Sequence, residues 1–246
     1  MYYKRTLTPY IANASDTFPV VLVTGPRQVG KTTIFEKCAE PGRTYISLDD
    51  PILLESAKSD PALFFKTYTP PLLIDEIQNA PELFPYIKMI VDREKKNGLF
   101  WLTGSQVFNL MKNVSESLAG RVAVLDLQGL SQSEKEKRPE TSPFIPSLKL
   151  RRDVRPMDLP AIYSVIFRGS FPRLVSEDKI NWKLFYGSYV RTYIERDVRQ
   201  ILNLTQEIAF MKFVKVLAAR TGQLLNYSEL ARDVDVNEVS VCLSQS

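Results

Sequence analysis

One stretch, Gly25-Pro26-Arg27-Gln28-Val29-Gly30-Lys31-Thr32, restricts this chain more than any other. It meets every fixed position of the pattern G-x-x-x-x-G-K-[ST], and its flanks are of the right kind. Before it, Val20-Val21-Leu22-Val23-Thr24 is an apolar, β-branched run that predicts a buried strand. After it, Thr33-Ile34-Phe35-Glu36-Lys37-Cys38-Ala39 predicts a helix. Strand, glycine-hinged turn and helix start together can cradle phosphate. Gly25 and Gly30 can take backbone angles that a Cβ forbids, so successive N–H groups turn inward around phosphate oxygens. The new helix adds the positive end of its dipole. Lys31 then reaches the β and γ phosphates of a nucleoside triphosphate, and the Thr32 hydroxyl is a ligand for Mg2+.

A second signal lies at Leu72-Leu73-Ile74-Asp75-Glu76, an apolar run that ends abruptly in two carboxylates. A buried parallel strand reads as a continuous apolar run. Acids at its carboxyl end point into the crevice where ligands bind in α/β sheets. Asp75 is expected to hold Mg2+ through water, and Glu76 to take a proton from, or orient, the water that attacks the γ phosphate. Taken alone, the same residues also fit a strand leaving the core, with Asp75 as a helix cap. Leu99-Phe100-Trp101-Leu102-Thr103 predicts a further strand, followed by Gly104-Ser105-Gln106. In phosphate-loop ATPases with such an acid pair, a strand lies between the loop strand and the acidic strand, and a polar residue at its tip senses the γ phosphate. Ser105 is the first candidate and Gln106 the second; Ser105 also fits as the cap of the next helix.

Two more strands are expected at Thr44 to Leu48 and Val122 to Leu127, with helices at Ile52 to Lys58, Asp60 to Tyr68 and Pro81 to Lys96. A short helix is expected within Met1 to Asp16, with Tyr2, Tyr3, Leu7 and Ile11 on its apolar side. Five strands alternating with helices imply an α/β fold, a five-stranded parallel sheet sandwiched by helices. This first domain is expected to cover residues 1–130. Residues 131–206 follow as linker and helical, lid-like segment. Within it Gly169-Ser170-Phe171-Pro172 is flanked by Arg168 and Arg173, which either reach the nucleotide or are solvated. A long helix from Trp182 to Leu202 carries Tyr186, Tyr189, Val190, Tyr193, Ile194 and Val198 as a stripe expected to be core. Residues 207–246 hold an amphipathic helix from Ile208 to Arg220, a short helix from Ser228 to Asp233 and the start of another near Glu238. Together these predict a winged-helix-like helix-turn-helix, incomplete because the sequence ends at Ser246.

Composition removes several alternatives. Histidine is absent, which excludes Ser-His triads and His-based zinc sites. Cys38 and Cys242 lie far apart, so neither a disulfide framework nor a zinc cluster is indicated. No apolar run approaches the roughly 20 residues of a membrane span, so no membrane partner and a cytoplasmic location are expected. The net charge of +4 lies wholly after residue 145, where 15 basic side chains face 11 acidic ones. Such a surplus permits contact with DNA without arguing for it.

These residues resemble the prokaryotic AAA+-type ATPases that carry a C-terminal domain of unknown function. The resemblance runs through Gly25 to Thr33, Tyr45 to Pro51, Leu73 to Gln78, Leu102 to Gln106, Ser117 to Val122, Gly169 to Pro172, Tyr189 to Gln200 and Leu217 to Leu225. Its most specific parts are Leu118-Ala119-Gly120-Arg121, Tyr189-Val190-Arg191-Thr192-Tyr193-Ile194-Glu195-Arg196-Asp197-Val198 and the run from Leu217 to Asn226. The resemblance implies ATP and Mg2+ as cofactors, bound by Gly25, Pro26, Arg27, Gln28, Val29, Gly30, Lys31, Thr32 and Thr33. Asp75 joins Thr32 on the metal; Lys31, Glu76 and Ser105 act on the reaction. Arg121, at a helix-to-strand junction, is either a finger toward a neighbour's nucleotide in a homo-oligomer or the partner of a surface carboxylate. Family members continue into a further C-terminal α/β region, so this sequence is expected to be truncated. Two functions follow: an ATPase that couples hydrolysis to a conformational change, or a nucleotide-dependent DNA-binding or regulatory module in which ATP is mainly a ligand.

Overall fold

The computed structural model describes residues 2–105, 107–139, 156–193 and 204–234. The chain divides into two compact units, Met1–Ile180 and Asn181–Ser246. The first opens with α1 (Thr8–Thr17), β1 (Val20–Thr24), α2 (Lys31–Cys38), β2 (Thr44–Ser47), α3 (Pro51–Ser59) and α4 (Pro61–Thr67). It continues with β3 (Leu72–Asp75), a 3-10 turn at Ile77–Asn79, α5 (Leu83–Glu94), β4 (Phe100–Thr103), α6 (Val107–Leu118) and β5 (Val122–Asp126). Short helices α7 (Gln132–Lys135), α8 (Leu159–Arg168) and α9 (Pro172–Ser176) complete it. The helix foreseen near the start begins only at Thr8, with Pro9 in its first turn, where a missing N–H costs nothing.

The five strands form one parallel sheet in the order β2-β3-β4-β1-β5. Val20 of β1 lies opposite Phe100 of β4 and Val122 of β5, and Leu72 of β3 opposite Thr44 of β2. β4 therefore stands between the loop strand and the acidic strand, as expected. Successive side chains on a strand face opposite ways, and two apolar clusters follow from that. Val20, Leu22, Leu72, Ile74, Phe100 and Leu102 pack with residues of α3 to α6, among them Phe64, Phe84, Ile87 and Leu110. Val21, Val23, Leu73 and Trp101 pack with Ile11 of α1 and with Ile34 and Phe35 of α2. Phe35 stacks on Trp101 at a centroid distance of 4.8 Å. Central strands covered on both faces explain why these runs are apolar throughout rather than alternating. Asp50 and Asp60 cap α3 and α4 by accepting from amides in their first turns.

The second unit contains α10 (Trp182–Tyr193), α11 (Leu204–Ala219) and α12 (Tyr227–Val234). Phe213 of α11 packs with Leu230, Ala231 and Val234 of α12 in a small core. The tyrosine stripe expected to be core departs from that reading on α10, which buries none of its residues. Its rings pack on one another instead: Phe185, Tyr189 and Tyr193 stack one turn apart at 6.4 and 6.5 Å. Ile194, Val198 and the helix expected near Glu238 lie outside the described residues, as does the basic run from Lys149 to Arg155. Among the described residues no helix is long and apolar enough to cross a membrane.

Phe100 is fully buried at the sheet centre, with the Phe65 ring edge-on at 5.8 Å. Phe100→Ala should lower stability by about 3–5 kcal/mol, read as a lower urea midpoint; a loss below about 1 kcal/mol would show that this face is loosely packed.

Candidate functional site

All five strands run the same way, so Thr24, Ser47, Asp75, Thr103 and Asp126 end at one edge of the sheet. The glycine-hinged loop leaves from β1 at that edge and ends at the first residue of α2. Gly25 has φ 134°, and a Cβ there would stand 2.2 Å from the Leu127 carbonyl oxygen, so both backbone angle and space demand glycine. Gly30 has φ 94° in open surroundings; there the angle alone excludes a side chain. Gln28 carries a left-handed φ of 63° without being glycine. Pro26, Gln28 and Thr33 are exposed, Arg27 is half-buried, and Val29 is buried.

Lys31 is 6% exposed, and its Nζ donates to the Gly25 and Pro26 carbonyls at 3.0 and 2.9 Å. Burial pushes its ammonium below the usual lysine range, opposed chiefly by the charge of Glu76 and more weakly by Asp75. The adjacent hydroxyl, Thr32 Oγ1, donates to Asp75 Oδ1 at 2.8 Å. Asp75, only 8% exposed, also accepts from the Thr103 hydroxyl on Oδ1 and from the Tyr45 hydroxyl on Oδ2 at 3.2 Å. Burial, and then the charge of Asp75, raises the Tyr45 pKa, which keeps that phenol a donor.

Glu76 turns out of the strand. Its φ of 56° is left-handed, and its amide donates to Thr103 Oγ1 at 3.1 Å. Its Oε2 accepts from Ser105 Oγ at 2.9 Å and from Gln78 Nε2. Gly104 leaves room for that arrangement, since a Cβ there would come within 2.3 Å of the Leu110 side chain and 2.9 Å of Gln78 Oε1. The same Gln78 Oε1 is buried with no hydrogen-bond partner.

The structure thus brings Lys31, Thr32, Asp75, Glu76 and Ser105 to one place; Gln106 lies outside the described residues. Arg121 is elsewhere. Its carbonyl accepts from the Val20 amide, which puts it at the opposite end of the strands from the loop. Its guanidinium grips Asp92 of α5 with both prongs, at 2.6 and 3.1 Å. Arg168 turns to the end of α9, donating to the carbonyls of Leu174, Glu177 and Asp178. Sequence reasoning missed Thr103, Tyr45 and Gln78. Thr103 could have been found as the polar tip of an apolar strand beside the acidic one; nothing in the sequence distinguishes the other two.

The group implied by such a loop fits these residues. Gly30 stands in open surroundings within the loop, and the Lys31 ammonium rests on carbonyls that phosphate oxygens could replace. Thr32 and Asp75 are hard oxygen donors of the kind Mg2+ takes, and two suffice for an ion that keeps several waters. Among the described residues, no group of three His, Cys, Asp or Glu side chains offers a separate metal cage.

Loop, acid-tipped strand and parallel sheet are those of a phosphate-loop, ATPase-like domain. Residues 17–135 match the family described as an AAA domain, and residues 160–244 match the one described as a domain of unknown function, DUF8612. Together the two matches take in most of the chain. It is similar to uncharacterized proteins of Mycobacterium bovis and Mycobacterium tuberculosis, each 31% identical over 239 residues, 96% of this chain and 49% of the relative. The chain therefore spans about half the length of the curated relatives it matches. Among solved structures, a Walker-type ATPase of Pyrococcus abyssi has a TM-score of 0.47 at 14% identity, over 93% of this chain and 87% of that one. The RuvB Holliday junction branch migration motor of Thermotoga maritima has a TM-score of 0.41 at 16% identity, over 98% and 85%.

Thr103 both donates to Asp75 and accepts from the Glu76 amide. Thr103→Val keeps the shape and leaves that amide without its acceptor. It should cost about 1–3 kcal/mol, measured by chemical unfolding; an unchanged midpoint would show that the hydroxyl is not structural.

Proposed function

We propose that the chain binds Mg2+-ATP at the Gly25 to Thr33 loop and hydrolyses it, with turnover driving a conformational change. The observation that carries this is the convergence of Lys31, Thr32, Asp75, Glu76 and Ser105 at the carboxyl edge of one sheet. The AAA domain match supports ATP as the nucleotide.

On this reading each side chain has one task. Lys31 exchanges the Gly25 and Pro26 carbonyls for phosphate oxygens. Thr32 and Asp75 hold Mg2+, Asp75 through water; the ion, when bound, offsets charge on the β and γ phosphates. Glu76 orients the attacking water and takes its proton. Ser105 and Gln78 both donate to Oε2, which fixes the carboxylate and leaves Oε1, to which no described residue donates, for the water. Ser105 also senses the γ phosphate, a role supported by its bond to Glu76.

Calorimetry and phosphate release test this together. Glu76→Gln should bind ATP normally and lose about 10²–10⁴-fold in turnover, the usual worth of a general base, while Lys31→Met should lose binding. Unchanged turnover in Glu76→Gln removes that residue from the mechanism; no heat with ATP ends the reading.

We also propose that Arg121 serves a neighbouring subunit. It lies too far along the sheet to serve its own loop, is partly exposed, and would exchange Asp92 for the transferring phosphoryl group. Light scattering should then show an oligomer with a nonhydrolysable ATP analogue, and Arg121→Ala should slow turnover by about 10³-fold or more. A strict monomer whose turnover survives that change refutes it.

A further inference from the structure

Both ends of the phosphate loop lean on one turn. At its start, Gly25 approaches β5 so closely that a Cβ would meet the Leu127 carbonyl. Near its far end, the Val29 carbonyl accepts from Arg5 Nη1 at 2.9 Å. The same guanidinium donates through Nη2 to the Gln128 and Gly129 carbonyls at 2.7 and 3.3 Å, and through Nε to Glu134 Oε2 at 3.1 Å. Arg5 is 6% exposed and Glu134 4%. Glu134 is fixed in turn. Its Oε1 accepts from the Thr6 amide at 2.6 Å, its Oε2 from the Ser131 amide at 3.0 Å, and its own amide donates to Ser131 Oγ at 3.1 Å.

Neither Arg5 nor Glu134 has a part in the phosphate or metal chemistry described above. A buried ion pair is by itself a poor source of stability. What this one does is directional. Arg5 presents a planar fork of donors that a lysine cannot reproduce, and three of the oxygens it meets belong to backbone carbonyls in two separate segments. A planar trans peptide points its C=O and N–H in opposite directions. Gripping the Val29 carbonyl therefore turns the Gly30 N–H away from Arg5 and sets the plane of a peptide in the middle of the anion-binding loop. The turn beyond is anchored as well: the Leu130 amide donates to the Ser170 carbonyl at 2.7 Å, and Lys135 Nζ to the Gly169 carbonyl at 2.8 Å.

We infer that Arg5 is a positioning residue for the phosphate loop, fastening Val29 to the turn after β5, and that nucleotide binding is thereby coupled to the order of the N-terminal segment, residues 2–7. The inference rests on the nucleotide reading above. Because coupling is reciprocal, occupancy of the loop must stabilise the segment that holds it, and the segment must raise affinity for the occupant.

Hydrogen exchange on the full chain, with and without ATP and Mg2+, separates the possibilities. Protection of the loop amides accompanied by slower exchange across residues 2–7 is the expected result. Protection of the loop with no change in residues 2–7 overturns the coupling and leaves the nucleotide site standing. No protection of the loop removes the nucleotide reading and this inference with it. Arg5→Lys keeps a positive charge beside Glu134 and loses the fork. The variant should melt lower, since buried carbonyls lose donors, and at temperatures where it is fully folded it should still bind ATP about tenfold more weakly, within the range usual for coupled sites. Wild-type affinity in that variant would mean that the fork does not position the loop; if the variant does not fold, the exchange experiment on the unaltered chain decides.

Discussion

A nearly buried carboxylate holds the edge of this sheet together. Among the described residues no Lys or Arg bonds to Asp75, and an ionised group removed from water is costly unless its oxygens are satisfied. Three hydroxyls satisfy them: Thr32 from the first turn of α2, Thr103 from the tip of β4 and Tyr45 from the neighbouring β2. Each comes from a different element. The charge therefore fixes the mutual register of the loop helix and three strands where the phosphate loop opens. The same demand for oxygen-facing positive character makes the position suited to a hydrated divalent cation. Structure and proposed chemistry meet in one side chain.

Around that anion the site is arranged by direction of exit. Thr103 stabilises Asp75 and receives the Glu76 amide, so one hydroxyl decides where the first acid stays and the second turns away. The left-handed backbone at Glu76 is the local strain that accompanies this divergence. Ser105 and Gln78 then hold the Glu76 carboxylate from one side. Gly104 belongs to the same arrangement, because any side chain there would push against Gln78 and Leu110.

Much of this could be read from the amino-acid order. A glycine-hinged motif after a β-branched run places Lys31 and Thr32 with little freedom, and an apolar run ending in Asp75-Glu76 can be only a strand tip in such a fold. Strand alternation then yields the sandwich. Tyr45, Gln78, Arg5 and Glu134 were not legible, because each matters through a partner 30 to 130 positions away or through a turn whose backbone angles carry no residue signature. Arg121 shows the other kind of limit. Its place at a helix-to-strand junction was plain, but the bidentate grip of Asp92 depends on where α5 lies beside β5, which no local pattern specifies. On α10, spacing read Tyr186, Tyr189 and Tyr193 as core, whereas that helix buries none of its residues and the Tyr189 and Tyr193 rings stack on each other.

The near contact between Gly25 and the Leu127 carbonyl bears on how such a loop could be moved between proteins. The eight-residue motif is not a self-contained module, since its first glycine is shaped by a strand exit about a hundred residues further on. A graft that carried the motif alone into a foreign scaffold would bring the flexible hinge without the wall that limits it. The transplantable unit is the motif with the 126–130 turn, two short pieces of sequence that behave as one part.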